Sequence, residues 1–183
     1  MIALAVLAAG GSGRFGSPKQ LALIDGETLL HRATRVAGEW RGNNDDRRAL
    51  VILGANAELL RAEVVAGVEI VVNERWTDGL ATSIHAAVRA AADADALLIA
   101  LADQAGVTAG DLESLTRVGA PVAAAAYDGT VGVPALFRRT RFDALLALRG
   151  DCGAKALLGG SDVATVEIPA AGWDIDSHDD INN

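Results

Sequence analysis

The apolar run Ile2 to Leu7 opens directly into Ala8-Ala-Gly-Gly-Ser-Gly-Arg-Phe-Gly-Ser-Pro-Lys-Gln20, and this junction constrains the fold more than any other stretch. So short and continuous an apolar segment, bounded by glycine, reads as a buried strand. Gly10, Gly11, Gly13, Gly16 and Pro18 forbid a regular helix through the loop. Glycines also let backbone N–H groups crowd around a phosphate, and Arg14 and Lys19 supply cations to neutralise it. A strand running into such a loop is a nucleotide or phosphate site.

Beyond this junction, β-type runs alternate with helical ones, the pattern of a parallel α/β sheet. Strands are expected at Ile2 to Leu7, Leu50 to Leu53, Glu69 to Val72, Ala96 to Leu101, Val122 to Tyr127 and Val163 to Ile168. Helices are expected at Leu29 to Glu39, Glu58 to Ala66, Leu80 to Ala92, Ala109 to Val118, Arg141 to Leu148 and Cys152 to Leu158. Thr108 with Asp111, and Ser177 with Asp180, have capping-box spacing. The polar stretch Arg41 to Arg48 is the best candidate for an exposed, mobile connection. No repeat or linker divides the chain. The expectation is one α/β domain over residues 1–183, a mostly parallel sheet with helices on both faces. In such a sheet ligands gather at the carboxyl ends of the strands. There lie the glycine loop, Asn73 to Gly79, Ala102-Asp103-Gln104 and Asp174 to Asp176.

Composition removes several function classes. A chain of 183 residues, 51% hydrophobic and only 4% aromatic, must build one core from Ala, Val, Leu and Ile. A net charge of −8 argues against nucleic acid as a partner. The single cysteine, Cys152, excludes an internal disulfide and a cysteine-rich metal centre, and is expected to be a small core or cap-adjacent residue. Ile2 to Ala9 has no positive leader and ends in glycines, so it is read as a core strand and not a signal peptide. No apolar stretch reaches membrane-spanning length. The expectation is a soluble, cytoplasmic protein without a membrane partner.

The loop has decoys. Gly11-Ser-Gly-Arg-Phe-Gly16 spells G-x-G-x-x-G, but a dinucleotide fingerprint needs its last glycine on the opening turns of a helix. Here Pro18 biases Ser17 away from helical dihedrals. The second strand also ends at Leu53-Gly54, with no acidic side chain for a ribose. A P-loop would need Lys-Ser/Thr after Gly16, where Ser17 stands. A plain turn accounts for the glycines but not for Arg14 and Lys19.

The loop, with Asn73-Glu-Arg-Trp-Thr-Asp-Gly-Leu-Ala-Thr-Ser83, Ala102-Asp-Gln104, Tyr127 to Phe137, Gly150-Asp-Cys-Gly-Ala-Lys155 and Asp174-Ile-Asp-Ser-His-Asp-Asp180, resembles the molybdopterin nucleotidyltransferases, in particular the molybdenum cofactor cytidylyltransferases. The resemblance runs the length of the chain. It implies a three-layer, Rossmann-like nucleotidyltransferase fold, CTP and molybdopterin or molybdenum cofactor as substrates, and a recipient molybdoenzyme as a further partner. Nucleotidyl transfer requires positioning and charge neutralisation more than a covalent catalyst. Arg14 suits the β- and γ-oxygens as a fork, and Lys19 the α-phosphate as a point charge. Mg²⁺ (or Mn²⁺) takes carboxylate oxygens, and Asp103 is the first candidate. By resemblance Asp176 supplies the second carboxylate, ahead of Asp174.

The resemblance further assigns nucleotide contacts to Leu7, Ala8, Ala9, Gly10, Gly11, Ser12, Gly13, Asn73, Gly79 and Ser83, alongside Arg14, Lys19 and Asp103. In the families it resembles, Leu-Ala-Ala-Gly accompanies cytidylyl and Leu-Ala-Gly-Gly guanylyl transfer, so Ala8-Ala9-Gly10 points to CTP. On the acceptor side, Asp151 and Lys155 are candidates for the pterin or its phosphate, with Asp151 equally an N-cap. The family usually has Arg where Lys155 stands, Pro where Ala105 stands and Pro-Glu where His178-Asp179 stand. Trp76 and Trp173 are candidates for the pterin cleft or for core walls, whereas Trp40, His31 and His85 carry no functional expectation. Alternatives are a GTP donor, another phosphate acceptor such as a methylerythritol or sugar phosphate, a non-catalytic cofactor-delivery factor, and an NAD-binding module.

Overall fold

The computed structural model describes residues 1–11 and 17–175 of the chain. Strand β1 (Ile2–Ala8) leads through the loop to a 3-10 turn, Lys19–Leu21, and a small hairpin of β2 (Leu23–Ile24) and β3 (Glu27–Thr28). Helix α1 (Leu29–Arg41) follows, opened by Thr28, whose side chain accepts the His31 N–H. Next come β4 (Arg47–Leu53), the short α2 (Ala57–Leu60), β5 (Glu69–Val72), α3 (Leu80–Ala90) and β6 (Ala96–Leu101). The chain continues through α4 (Ala109–Thr116), β7 (Val122–Tyr127), β8 (Thr130–Arg138), α5 (Phe142–Ala147) and β9 (Val163–Glu167).

Seven strands form one sheet in the order β5-β4-β1-β6-β8-β7-β9. All pairings are parallel except those of β8, which runs antiparallel to both β6 and β7. Strand β1 is buried on both faces, and its alternating side chains feed separate cores. Leu4, Val6 and Ala8 pack with Leu30, Val36 and Trp40 of α1 and Leu112 and Leu115 of α4. Ala3, Ala5 and Leu7 pack with Ile84 and Val88 of α3 and Phe142 and Leu145 of α5. Helices therefore cover both faces, in three layers, as expected. Among the described residues no helix is long and apolar enough to cross a membrane.

The expectation differs from the structure in several places. Strand β8 was not anticipated, because Pro134 breaks what would otherwise read as a strand. The structure accommodates the proline at an irregularity: the β7–β8 register jumps from Ala124↔Ala135 to Ala125↔Gly132, and the β6 pairing starts at Ala135. Val133 and Pro134 thus stand in neither ladder. The helix expected over Glu58 to Ala66 ends at Leu60, continues as a 3-10 turn, Arg61–Glu63, and stops where Val64 turns extended. The one expected over Cys152 to Leu158 is only a 3-10 turn, Ala154–Leu157. Its N-cap is Gly153, so Asp151 is not the cap of this segment. Cys152 is exposed and not in the core. The capping box of Thr108 and Asp111 is present, whereas Ser177 and Asp180 lie outside the described residues. Arg41 to Arg48 is a short turn that already enters β4 at Arg47.

The α1 entry carries a charge-assisted clasp. Arg35 donates from Nε and Nη2 to the two oxygens of Glu27, at 2.8 and 3.1 Å, and reaches Glu39 at 2.7 Å. The Arg35 guanidinium holds the Glu27 carboxyl below the usual carboxylate range. A carboxyl depressed in this way contributes stability above its unfolded value of about 4.3, lost as pH falls through the folded value. Glu27→Gln is expected to lower the thermal midpoint at pH 7. The gap to the parent should narrow steadily below about pH 4. Melting curves across that range check this, and a gap independent of pH would exclude the clasp as its source.

Candidate nucleotide site

Parallel pairing brings several strand ends into register at one edge of the sheet. Ala8 stands opposite Leu53, Leu7 opposite Leu101, and Leu53 opposite Val72. The segments that follow therefore start side by side: the glycine loop, Gly54, Asn73 to Gly79, and Ala102-Asp103-Gln104. Between them lies a cleft of about 290 Å³. Of the residues expected to bind nucleotide, Leu7, Ala9, Gly10, Gly11, Gly79 and Ser83 line it, joined by Trp76, Thr77, Leu80 and Asp151. Ser12, Gly13, Arg14 and Asp176 lie outside the described residues.

Ala8, Lys19 and Asp103 are not in the lining. The residues beside the last two bond to it, Ala102 N–H to Leu7 O and Gln20 Nε2 to Gly10 O, and the chain brings Lys19 and Asp103 themselves together. Lys19 Nζ donates to Asp103 Oδ2 at 2.9 Å, across 84 residues of sequence. The pair is partly buried, with side-chain exposures of 16% and 31%. The other carboxylate oxygen, Oδ1, is buried and has no hydrogen-bond partner among the described residues. A buried carboxylate oxygen without a donor is costly to maintain and is the kind of group a cation satisfies. Asp103 therefore fits a divalent ion. Among the described residues no group of three or more His, Cys, Asp or Glu side chains converges to hold a metal. Asp174 pairs through its backbone with Gln104 as an isolated bridge, and the Ile175 N–H donates to Asp103 O at 3.1 Å. Asp174 and Ile175 thus abut the Asp103 turn.

Two buried glutamines hold these turns. Gln20, 7% exposed, donates from Nε2 to Ala8 O at 2.9 Å and Gly10 O at 2.8 Å. Gln104, 6% exposed, donates to Val133 O at 2.7 Å and Ala171 O at 3.0 Å. The Val133 carbonyl is available because the β8 irregularity leaves it out of the sheet ladders. Sequence reasoning passed over both glutamines. The available signal was position: each directly follows one of the paired charges, where a turning backbone leaves carbonyls that need donors. With Leu7 O taken by the Ala102 N–H and Ala9 O by the Ala55 N–H, every carbonyl from Leu7 to Gly10 is engaged inside the protein.

The opposite wall is set by Asn73 and Gly79. Asn73 Nδ2 donates to Thr82 Oγ1 at 2.8 Å and Ser83 Oγ at 3.1 Å, while its Oδ1 accepts from Arg75 N. Asn73 therefore orients Ser83 from behind and does not line the cleft. Gly79 has a φ of 106°, and a Cβ there would overlap the Gly150 carbonyl. That contact brings Asp151 to the cleft, where it belongs to the wall and not to a helix cap. Lys155 is exposed and outside the lining. Trp76 stands in the cleft wall, Trp173 is 42% exposed, and Trp40 is buried beneath α1. Burial, reinforced by Arg89 and Arg149, lowers the imidazole of His85, a residue of α3, below its ordinary value.

Comparisons with known proteins follow the same outline. The family model described as the MobA-like NTP transferase domain matches residues 4–166. The nicotine blue oxidoreductase of Paenarthrobacter nicotinovorans is 33% identical over 169 residues, covering 84% of this chain and 79% of that protein. Among solved structures, the homologue of Mycobacterium tuberculosis Rv0371c from Mycobacterium sp. strain JC1 is similar, with a TM-score of 0.82 and 32% identity. That match covers 99% of this chain and 93% of the other. Rv0371c of M. tuberculosis H37Rv in complex with manganese has a TM-score of 0.79 and 29% identity, over 99% of this chain and 96% of that one.

The Gly79–Gly150 contact generates a stability prediction. Gly79→Ala combines a positive φ with a backbone overlap and is expected to cost at least about 2 kcal/mol. Denaturant unfolding measures this, and a variant as stable as the parent would mean the two walls are not in contact.

Proposed function

The chain belongs to the MobA-like NTP transferase family, a family of nucleotidyltransferases, and from that premise we propose that it transfers CMP from CTP to the phosphate of molybdopterin or its metal-loaded form. In this reaction an acceptor phosphate oxygen bonds to the α-phosphorus, the bond from the α-phosphorus to its bridging oxygen breaks, and pyrophosphate leaves. The observation that carries the proposal is the Lys19–Asp103 pair, with Asp103 Oδ1 buried and unsatisfied among the described residues. The backbone of Leu7 to Gly10, with Gly79 and Ser83, forms the base slot, and the methyl of Ala9 narrows it toward a pyrimidine. Lys19 places a point charge on the α-phosphate, in a partly buried setting where it acts with little reorganisation. Arg14 neutralises the outer phosphates as a fork. Mg²⁺ or Mn²⁺, when bound, screens the triphosphate charge and is held by Asp103 and Asp176. The manganese complex of the similar Rv0371c supports a divalent ion in this role. Asp151, in the cleft wall, faces the acceptor side, and a recipient molybdoenzyme takes the product.

A second reading rests on the relative named nicotine blue oxidoreductase: the G-x-G-x-x-G lettering over residues 11–16 would then hold a reduced nicotinamide cofactor. One experiment separates the two. Purified protein, Mg²⁺ and molybdopterin are mixed with CTP, GTP, ATP or UTP in turn, and pyrophosphate is measured. CTP-specific release is expected. GTP-specific release would move the assignment to guanylyl transfer, and no release with saturable NADPH or NADH binding would favour the reductase.

Two variants test the paired charges. Asp103→Asn is expected to reduce turnover by about 10²-fold or more, leaving the fold intact by circular dichroism. Lys19→Ala should slow transfer more than it weakens nucleotide binding. Undiminished pyrophosphate release from Asp103→Asn would remove the metal assignment, and parental turnover in Lys19→Ala would remove Lys19 from the chemistry.

A further inference from the structure

Gln20 lies one residue beyond Lys19 in the same turn of 3-10 helix. Its amide nitrogen bonds the carbonyls of Ala8 and Gly10, which flank Ala9 in the cleft wall. A glutamine kept only to satisfy one stray carbonyl would need a single bond. This one straddles a residue and ties two successive points of the loop to the turn that bears the ammonium. The ties from Ala55 and Ala102 fix the same backbone to neighbouring strands, whereas Gln20 makes its tie from the Lys19 turn itself. Gln20 thus ties the cleft floor to the backbone that carries Lys19, while Asp103 holds the Lys19 Nζ itself.

We propose that Gln20 is a positioning residue that locks the base-binding backbone of Ala8 to Gly10 to the Lys19 ammonium, so that nucleoside and triphosphate are recognised as one rigid unit. The proposal rests on the nucleotidyl-transfer function above and adds a residue that touches no substrate. Gln20 acts through Lys19 and the loop carbonyls. Its signature is selectivity: a ligand that spans floor and cation gains from the lock, and a ligand that reaches only the floor does not.

Gln20→Met keeps the length and volume of the side chain and removes both donors. Calorimetric titration of the full chain with CTP and with cytidine, in the presence of Mg²⁺, reads the effect. Gln20→Met is expected to weaken CTP by about tenfold and cytidine by about twofold or less. In the Lys19→Ala background the same change should weaken both ligands equally, because the lock then has no cation to place. Gln20→Asn retains an amide on a shorter stem and should give the same CTP-selective loss, which decides the matter if the methionine variant does not fold. Equal losses for CTP and cytidine, or independent effects of Gln20→Met and Lys19→Ala, would overturn the proposal and leave Gln20 a structural residue. Failure of the parent protein to bind CTP is a different result, against the choice of nucleotide. The comparison is then repeated with whichever triphosphate binds and its own nucleoside, with the same outcomes deciding.

Discussion

Strand β1 lies between two parallel neighbours, and that arrangement decides where every group of the site ends up. Parallel strands deliver their carboxyl ends to a single edge, and the register aligns Val72, Leu53 and Ala8, then Leu7 and Leu101, nearly in one row. Loops leaving such a row emerge next to one another however far apart they are in sequence. Lys19 meets Asp103 for this reason, although neither residue has a local preference that would bring them together. Burial of β1 on both faces makes the register hard to shift, since a one-residue slip would send each alternating set of side chains into the wrong core.

A row of parallel strand ends also creates a problem. Where each chain leaves the sheet, its carbonyls lose their ladder partners in a region that must stay dry enough for charges to act. Gln20 and Gln104 meet this with neutral amides, which donate to carbonyls without adding charge beside the Lys19–Asp103 pair. A lysine or arginine could have donated as well, but would have competed for Asp103. The irregularity in β8 is part of the same solution, because it frees the Val133 carbonyl that receives Gln104. The antiparallel strand therefore braces the Asp103 turn as well as widening the sheet.

Much of this was legible in the residues, and the exceptions have physical causes. The buried strands declared themselves as apolar runs, Lys19 stood out as a cation closing the glycine loop, and Asp103 as a carboxylate just past a buried strand. Strand β8 was hidden by Pro134, whose cost in a ladder disappears once neither neighbour pairs at that point. The weak helices near residues 58–66 and 152–158 carried helix-forming residues, but the first turns extended at Val64 and the second starts only after Gly153. Gln20 and Gln104 escaped notice because a neutral amide in a loop has no charge or periodic pattern, only a location. Asn73 was legible as important but not in its part, since its donors go to Thr82 and Ser83 behind the wall.

The meeting of Gly79 with Gly150 has an evolutionary corollary. Two segments some seventy positions apart touch through bare backbone, with no side chain between them. The width of the opening is therefore insulated from gradual mutation, because Gly79 cannot grow by one methyl group without meeting the Gly150 carbonyl. Divergence in what the cleft admits would have to fall on either side of the seam, around Trp76 and Asp151, with the joint itself inherited unchanged.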